Sequence, residues 1–234
     1  MKIKINSLIS VLFFILIIIN CSSQKTTINN NFNGKIDKQF EAYLRLKNIP
    51  FKELNDSIYS AHFSKFLDDE LKQKLVRNPY LKINKVYMRH ITPTSVEFSI
   101  YSDKGTFCIS TFDLKMDGKT LSFPENGVVK ILEPIQVEDF GDFKIENNII
   151  KTRKRQKSPF RETYYYVNGT IKNDTISFTE KYIGKEHKFE KKLFAKTRKV
   201  NKKEVYQPAL KVVQYKVGKF LVSYEVTGEF RIEK

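Results

Sequence analysis

Few side chains in this chain have the types and spacing that chemistry needs. His62, His90 and His187 lie far apart, and none has a second histidine or a cysteine at metal-ligand spacing, so no metal is expected. No Gly-x-Ser-x-Gly elbow, glycine-rich phosphate loop or His-Glu-x-x-His motif occurs, and no cofactor is expected. Glu138, Asp139 and Asp142 surround Phe140-Gly141, and a pair of such carboxylates at a strand end can support acid–base or glycosidic chemistry. An Asp-rich segment holding a glycine reads more simply as a solvated turn. Cys108 sits in the apolar strand pattern Thr106-Phe107-Cys108-Ile109, the setting of a small buried hydrophobe rather than a nucleophile. No catalytic residue is expected.

The densest charge cluster runs from Lys151 to Lys157. If a strand begun at Ile149 continues through it, Lys151, Arg153, Arg155 and Lys157 share one face at intervals of roughly 7 Å. Such a row suits phosphates on anionic lipid or lipopolysaccharide, or an acidic glycan. The plainer alternative is an exposed hairpin extension ending at Ser158-Pro159, whose charges guard a sheet edge. Just beyond, the same alternation puts Tyr165 on one face, as a possible cavity-lining residue, with Tyr164 and Tyr166 on the other.

Cys21 carries a different chemistry. Lys2 and Lys4 precede an apolar stretch from Leu8 to Ile19, broken only by Ser10, and the run stops at Cys21-Ser-Ser-Gln. Twelve residues at a helical rise span roughly 18 Å, short of the bilayer core, so the layout is that of a secretory signal peptide. The stretch Ile18-Ile19-Asn20-Cys21 resembles the lipobox of bacterial lipoproteins, with Asn20 where that family has a small residue. The Cys-Ser-Ser-Gln continuation is similar to lipoproteins of the Bacteroidota. The resemblance covers about the first 25 residues and implies cleavage before Cys21 and acylation of that cysteine. The chain would then be held to a membrane by its lipid. The implied location is the bacterial cell envelope, with the protein on the outer membrane facing the periplasm.

Charge is lopsided, with 42 Lys and Arg against 26 Asp and Glu, and the leader removes only Lys2 and Lys4. Such a balance favours polyanions; the preponderance of Lys over Arg, with abundant Ile and Asn, also fits an AT-rich coding bias. Export argues against a nucleic-acid partner. With Cys21 acylated, Cys108 is left without a disulfide partner in the chain.

Residues 1–20 read as the leader and 21–34 as a polar, Asn-rich tether. Residues 35–80 carry the helical signal: Ile36, Phe40, Tyr43 and Leu44 at 3–4 spacing, a stop at Asn48-Ile49-Pro50, and a second helix starting near Asp56 or Ser57. In that helix Tyr59, Phe63, Phe66, Leu67, Leu71 and Leu75 form one apolar stripe, which is expected to pack on the β domain. From residue 81 to 234 the period is two, with turns every 8–12 residues and roughly ten to thirteen strands.

Three hairpins stand out. Asp117-Gly118 would set Leu114 against Leu121 and Phe112 against Phe123, four candidate interior positions. Asn147-Asn148 sets Ile145 against Ile150, and Asn173-Asp174 sets Ile171 against Ile176 with Gly169 against Phe178.

The fold expected is mainly β: an antiparallel meander closing into a barrel or sandwich, with a short N-terminal two-helix segment. The repeated hairpins loosely resemble a lipocalin-like meander; that family's early Gly-x-Trp has no counterpart in a chain without tryptophan, so the likeness is one of architecture. Together these features point to a non-enzymatic binding module for an apolar or amphipathic ligand. The alternative is a structural or assembly protein touching polyanionic envelope components, or another envelope protein, through its basic surface.

Overall fold

A computed structural model describes residues 30–114, 118–186, 188–217 and 221–232. The leader, Cys21 and most of the expected tether lie outside the described residues, as do Met116, Asp117 and His187. The chain divides into two compact units between Phe66 and Leu67.

The first unit is built from helix α1 (Asn30–Leu46) and the opening turns of helix α2 (Asp56–Val76). Spacing of three and four places Phe40, Tyr43 and Leu44 on one face of α1, where all are buried with Phe66. The Phe40 ring lies 5.1 Å from Tyr59, 5.2 Å from Phe63 and 5.4 Å from Phe66. Helix α1 ends as the sequence indicates. Asn48 takes a left-handed conformation (φ 54°), and the Ile49 amide donates back to Leu44 at 2.9 Å. The cap of α2 is Asn55, one residue before the expected start: its Oδ1 accepts the Ile58 amide at 3.0 Å. The apolar stripe of α2 is split between the units. Tyr59, Phe63 and Phe66 serve the first, Leu75 is buried in the second, and Leu67 and Leu71 are exposed.

The second unit is a closed eight-stranded antiparallel barrel with a three-stranded sheet. Its strands are β1 (Val86–Thr92), β2 (Ser95–Tyr101), β3 (Thr106–Asp113), β4 (Val128–Val137), β5 (Asp139–Glu146), β6 (Ile149–Ser158), β7 (Arg161–Lys172), β8 (Thr175–Gly184), β9 (Arg198–Tyr206), β10 (Lys211–Val217) and β11 (Leu221–Arg231). The barrel order is β1-β2-β3-β5-β6-β7-β8-β9, and the second sheet runs β10-β11-β4. Of the expected barrel or sandwich it is the barrel that is present, but it is not a simple meander, because β4 leaves it to pair with β11.

Two of the expected hairpins have the pairings read from the sequence: Ile145 with Ile150, and Ile171 with Ile176 and Gly169 with Phe178. The hairpin around Asp117-Gly118 does not have its expected register. Phe112 lies opposite Val96 of β2, and Leu121 bridges Ile131 of β4. The physical reason is that residues 120–122 pair with β4 instead, the Ser122 amide donating to the Lys130 carbonyl and the Leu132 amide to that of Thr120, each at 2.8 Å. The turn that reverses this segment is Asn126-Gly127, where both residues have positive φ (53° and 74°) and Glu125 and Val128 exchange backbone hydrogen bonds. Gly127→Ala should therefore cost about 1–2 kcal/mol, read as a lowered thermal midpoint, because an L side chain resists the left-handed region.

Two cores result. One lies between the barrel wall and the second sheet, where Val96, Phe98 and Ile100 of β2 meet Val129, Val226 and Phe230. The other fills one end of the barrel with Tyr101, Phe107, Phe143, Ile150, Ile176 and Phe178. Residues 72–82 close that end. Lys72 pairs with Asp103 at 2.7 Å, Asn78 Nδ2 donates to the Asn147 carbonyl at 3.1 Å, and Lys82 reaches Asp174 at 3.7 Å. The opposite end, where the β1–β2, β6–β7 and β8–β9 connections gather, is the open end.

Candidate functional site

Strand register decides which side chains look into the open end. Ile150 and Thr152 are buried inside, so the alternation sends Lys151, Arg153, Arg155 and Lys157 to the outer face of β6. The four cations do share a face, but two of them are matched. The Arg153 Nε donates to Asp142 Oδ1 at 2.8 Å, and Arg155 pairs with Glu162 on β7. Hydrogen bonding to Asp142 holds the Arg153 guanidinium above even its usual range, against the opposing effect of burial. Asp142, expected in a turn, sits in β5 because its segment pairs with β3 and β6, and its carboxylate is engaged in this ion pair.

Residues 185, 186 and 188–190 fold over the same outer face. Tyr166 stacks on Tyr182 (5.4 Å, 4°), and Phe189 meets its edge at 5.5 Å. The Tyr166 hydroxyl donates to the carbonyls of Lys185 (2.5 Å) and Lys188 (3.0 Å). Gly184 is required here: a Cβ would lie 2.2 Å from the Tyr166 ring. Between this segment and the barrel wall lies a groove of about 270 Å³ lined by Lys144, Lys151 and Lys188, by the carboxylates of Glu146 and Glu190, and by Ile149 and Phe189.

Tyr165 faces the other way, as expected from the alternation. It lies opposite Ile183 and beside Lys181, whose Nζ is 4.9 Å from its ring centroid. Together with Tyr182, Lys196 and Arg198 these residues line a pocket of about 260 Å³ at the open end. Lys181 lies directly across from Arg198 in the β8–β9 pair, and no carboxylate is among the lining side chains. Like charges placed opposite each other are unfavourable in a sheet. An anion between them would relieve that repulsion.

Deeper in, five side chains that the sequence reading did not single out form a polar layer. Arg89 of β1 grips Glu97 of β2 through two hydrogen bonds, of 2.7 and 3.0 Å. Lys202 of β9 bridges Glu97 (3.1 Å) and Glu204 (2.6 Å), and the Tyr101 hydroxyl donates to Glu204 at 2.8 Å. This layer ties β9 to β1 and β2 where direct β1–β9 pairing is limited to Tyr87–Tyr206 and Met88–Val205. Burial pushes the Glu97 carboxyl up, but Arg89 and Lys202 together hold it below the usual range. Burial and the Glu204 charge push the Tyr101 phenol well up. The interior below is filled by side chains.

The remaining expected interior positions fall elsewhere. Leu114 and Leu121 are buried in the core between wall and second sheet, and Phe112 is half-buried against Phe98 at 5.8 Å. Phe123 is 61 % exposed and cannot line a cavity, because its expected partner strand pairs differently. Cys108 is fully buried, with its thiol donating to the Val222 carbonyl at 3.4 Å. Among the described residues, no group of three or more His, Cys, Asp or Glu could hold a metal, and no helix is long and apolar enough to cross a membrane. Comparison with protein-family models, with curated proteins and with solved structures returns no match.

Proposed function

We propose that this chain is an envelope lipoprotein, anchored through Cys21, whose barrel is a non-catalytic binding module for an amphipathic ligand bearing an anionic group. The observation that carries the reading is the pocket at the open end. Lys181, Lys196 and Arg198 converge there on Tyr165 and Ile183, with no acid among the lining side chains. Cations supply charge-assisted hydrogen bonds to a carboxylate, sulfate or phosphate, while the aromatic and aliphatic groups take the first part of an apolar tail. With the charged layer of Arg89, Glu97, Lys202 and Glu204 beneath the pocket and the closed end filled, the ligand stays at the mouth, its tail along Tyr165 and Ile183.

A medium-chain fatty acid labelled with dansyl tests this by fluorescence titration. The wild type should bind it, and the double variant Lys181→Glu/Arg198→Glu should bind roughly ten-fold or more weakly, since each charge-assisted contact contributes about 1.5–3 kcal/mol. Equal affinity for both proteins would sink the reading.

A second reading, contact with polyanionic envelope components through the outer face, is favoured by Lys144, Lys151 and Lys188 in the groove, where they outnumber Glu146 and a Glu190 already paired with Lys185. It differs in that Lys151→Glu, and not the pocket variant, would weaken a salt-sensitive association.

A further inference from the structure

The open end also carries three large apolar side chains in full contact with solvent. Phe160 is 100 % exposed, Phe194 93 % and Leu193 80 %. Scattered apolar residues on a surface are ordinary. These three stand apart because all lie in connections at one end of the barrel.

Phe160 occupies the two-residue tip of the β6–β7 hairpin, after Pro159 and between the paired residues Ser158 and Arg161. A solvated tip calls for Gly, Asn or Asp. A phenylalanine there packs on nothing, so it adds nothing to the fold. Phe194 is the more telling residue: it holds a left-handed backbone (φ 63°), which a bulky side chain adopts only under constraint. The β8–β9 connection accepts that strain and still leaves the ring in water.

Both tips are collared by cations. Lys157 and Arg161 flank Phe160, while Lys191, Lys192 and Lys196 flank Leu193-Phe194. All five are exposed. Phe160 lies at a hairpin tip, and Leu193 and Phe194 on the limb that returns beside β8. Exposed apolar side chains with Lys and Arg one to three residues away match the composition of a bilayer surface, where acyl chains lie beneath anionic headgroups.

We propose that the open end of the barrel docks on an anionic lipid bilayer, with Phe160, Leu193 and Phe194 entering the headgroup–acyl boundary and the basic collar meeting lipid phosphates. Docking in this pose puts the mouth containing Tyr165 and Arg198 against the lipid surface. The inference extends the reading above without resting on it, because Phe160, Leu193 and Phe194 do not line the pocket and only Lys196 is shared between the two.

The chain contains no tryptophan, so Phe160→Trp or Phe194→Trp in the full chain gives a single reporter. Vesicles of phosphatidylglycerol and phosphatidylethanolamine with brominated acyl chains would be compared with brominated phosphatidylcholine vesicles. Phe123→Trp, another exposed aromatic position, is the reference. Emission at positions 160 and 194 should shift to the blue and fall about two-fold on the anionic vesicles, with little change at 123. Arg161→Glu/Lys191→Glu/Lys192→Glu, none of them a pocket residue, in the same background should weaken vesicle binding roughly ten-fold or more. Because the reporter reads the loops themselves, attachment through the N-terminus does not mimic this result.

Quenching at 160 and 194 no greater than at 123 would overturn the proposal. So would a blue shift without lipid that grows with protein concentration, which assigns the tips to a second copy of the chain. Loss of fatty-acid binding with quenching intact leaves docking standing and removes only the pocket.

Discussion

Glu97→Ala is expected to destabilise the β unit by about 3–5 kcal/mol, measured by urea unfolding at neutral pH. Glu97 is buried at 7 % exposure and is the shared acceptor of Arg89 and Lys202. Removing it leaves two cations facing each other in the barrel interior with only Glu204 to balance them. The pH dependence follows from the same geometry. The folded Glu97 carboxyl titrates below its ordinary 4.5 because its two cationic partners outweigh burial. Its contribution is therefore complete above about pH 4.5 and is lost as pH falls through the folded value. The wild-type midpoint should drop on that acid limb, and Glu97→Ala should show a shallower one. At the other extreme, burial raises the Tyr87 phenol from 10.0 to about 12, so its neutral form is favoured in the folded state and stability should fall as pH rises from 10 towards 12.

That Glu97 is a core residue could not be read from its surroundings in the chain. Ser95-Val-Glu-Phe-Ser-Ile-Tyr101 alternates cleanly, the pattern of a strand with one wet face. Here both faces of β2 are covered: Val96, Phe98 and Ile100 by the second sheet, and Glu97, Ser99 and Tyr101 by the rest of the barrel. Period two distinguishes the faces but not which of them meets water. The hairpins β5–β6 and β7–β8 were legible because their Asn and Asp turn residues take positive φ between apolar strands. Asp117-Gly118 offered the same signal and misled, since the true reversal at Asn126-Gly127 follows Pro124 in a polar stretch that masks it. Where β4 goes is a long-range pairing with β11, which no local pattern carries. Alternation alone set Tyr165 on the face opposite Tyr164 and Tyr166. Its companions Lys181 and Arg198 were not legible, because they come together only through the β8–β9 register.

Phe98→Ala should be as costly as the loss of Glu97, at about 3–5 kcal/mol, while Tyr165→Ala should cost less than about 1 kcal/mol. The contrast follows from where each ring points. Phe98 is fully buried on the outside of the barrel wall, edge-on to Phe230 at 5.3 Å and against Phe112 at 5.8 Å. Truncation there opens a cavity between two sheets whose backbones are held by their own ladders and cannot collapse into it. Tyr165 is half-exposed at the open end and leaves no enclosed space behind. Parallel thermal and urea unfolding of the two variants would measure the difference, and equal losses would refute it. The barrel wall is thus anchored largely from outside, through β4, β10 and β11, and at its closed end by Leu75 and Leu81. A barrel held in that way does not need an apolar interior along its whole length. The upper interior is left able to carry Arg89, Glu97, Lys202 and Glu204, with Lys181 and Arg198 at the mouth.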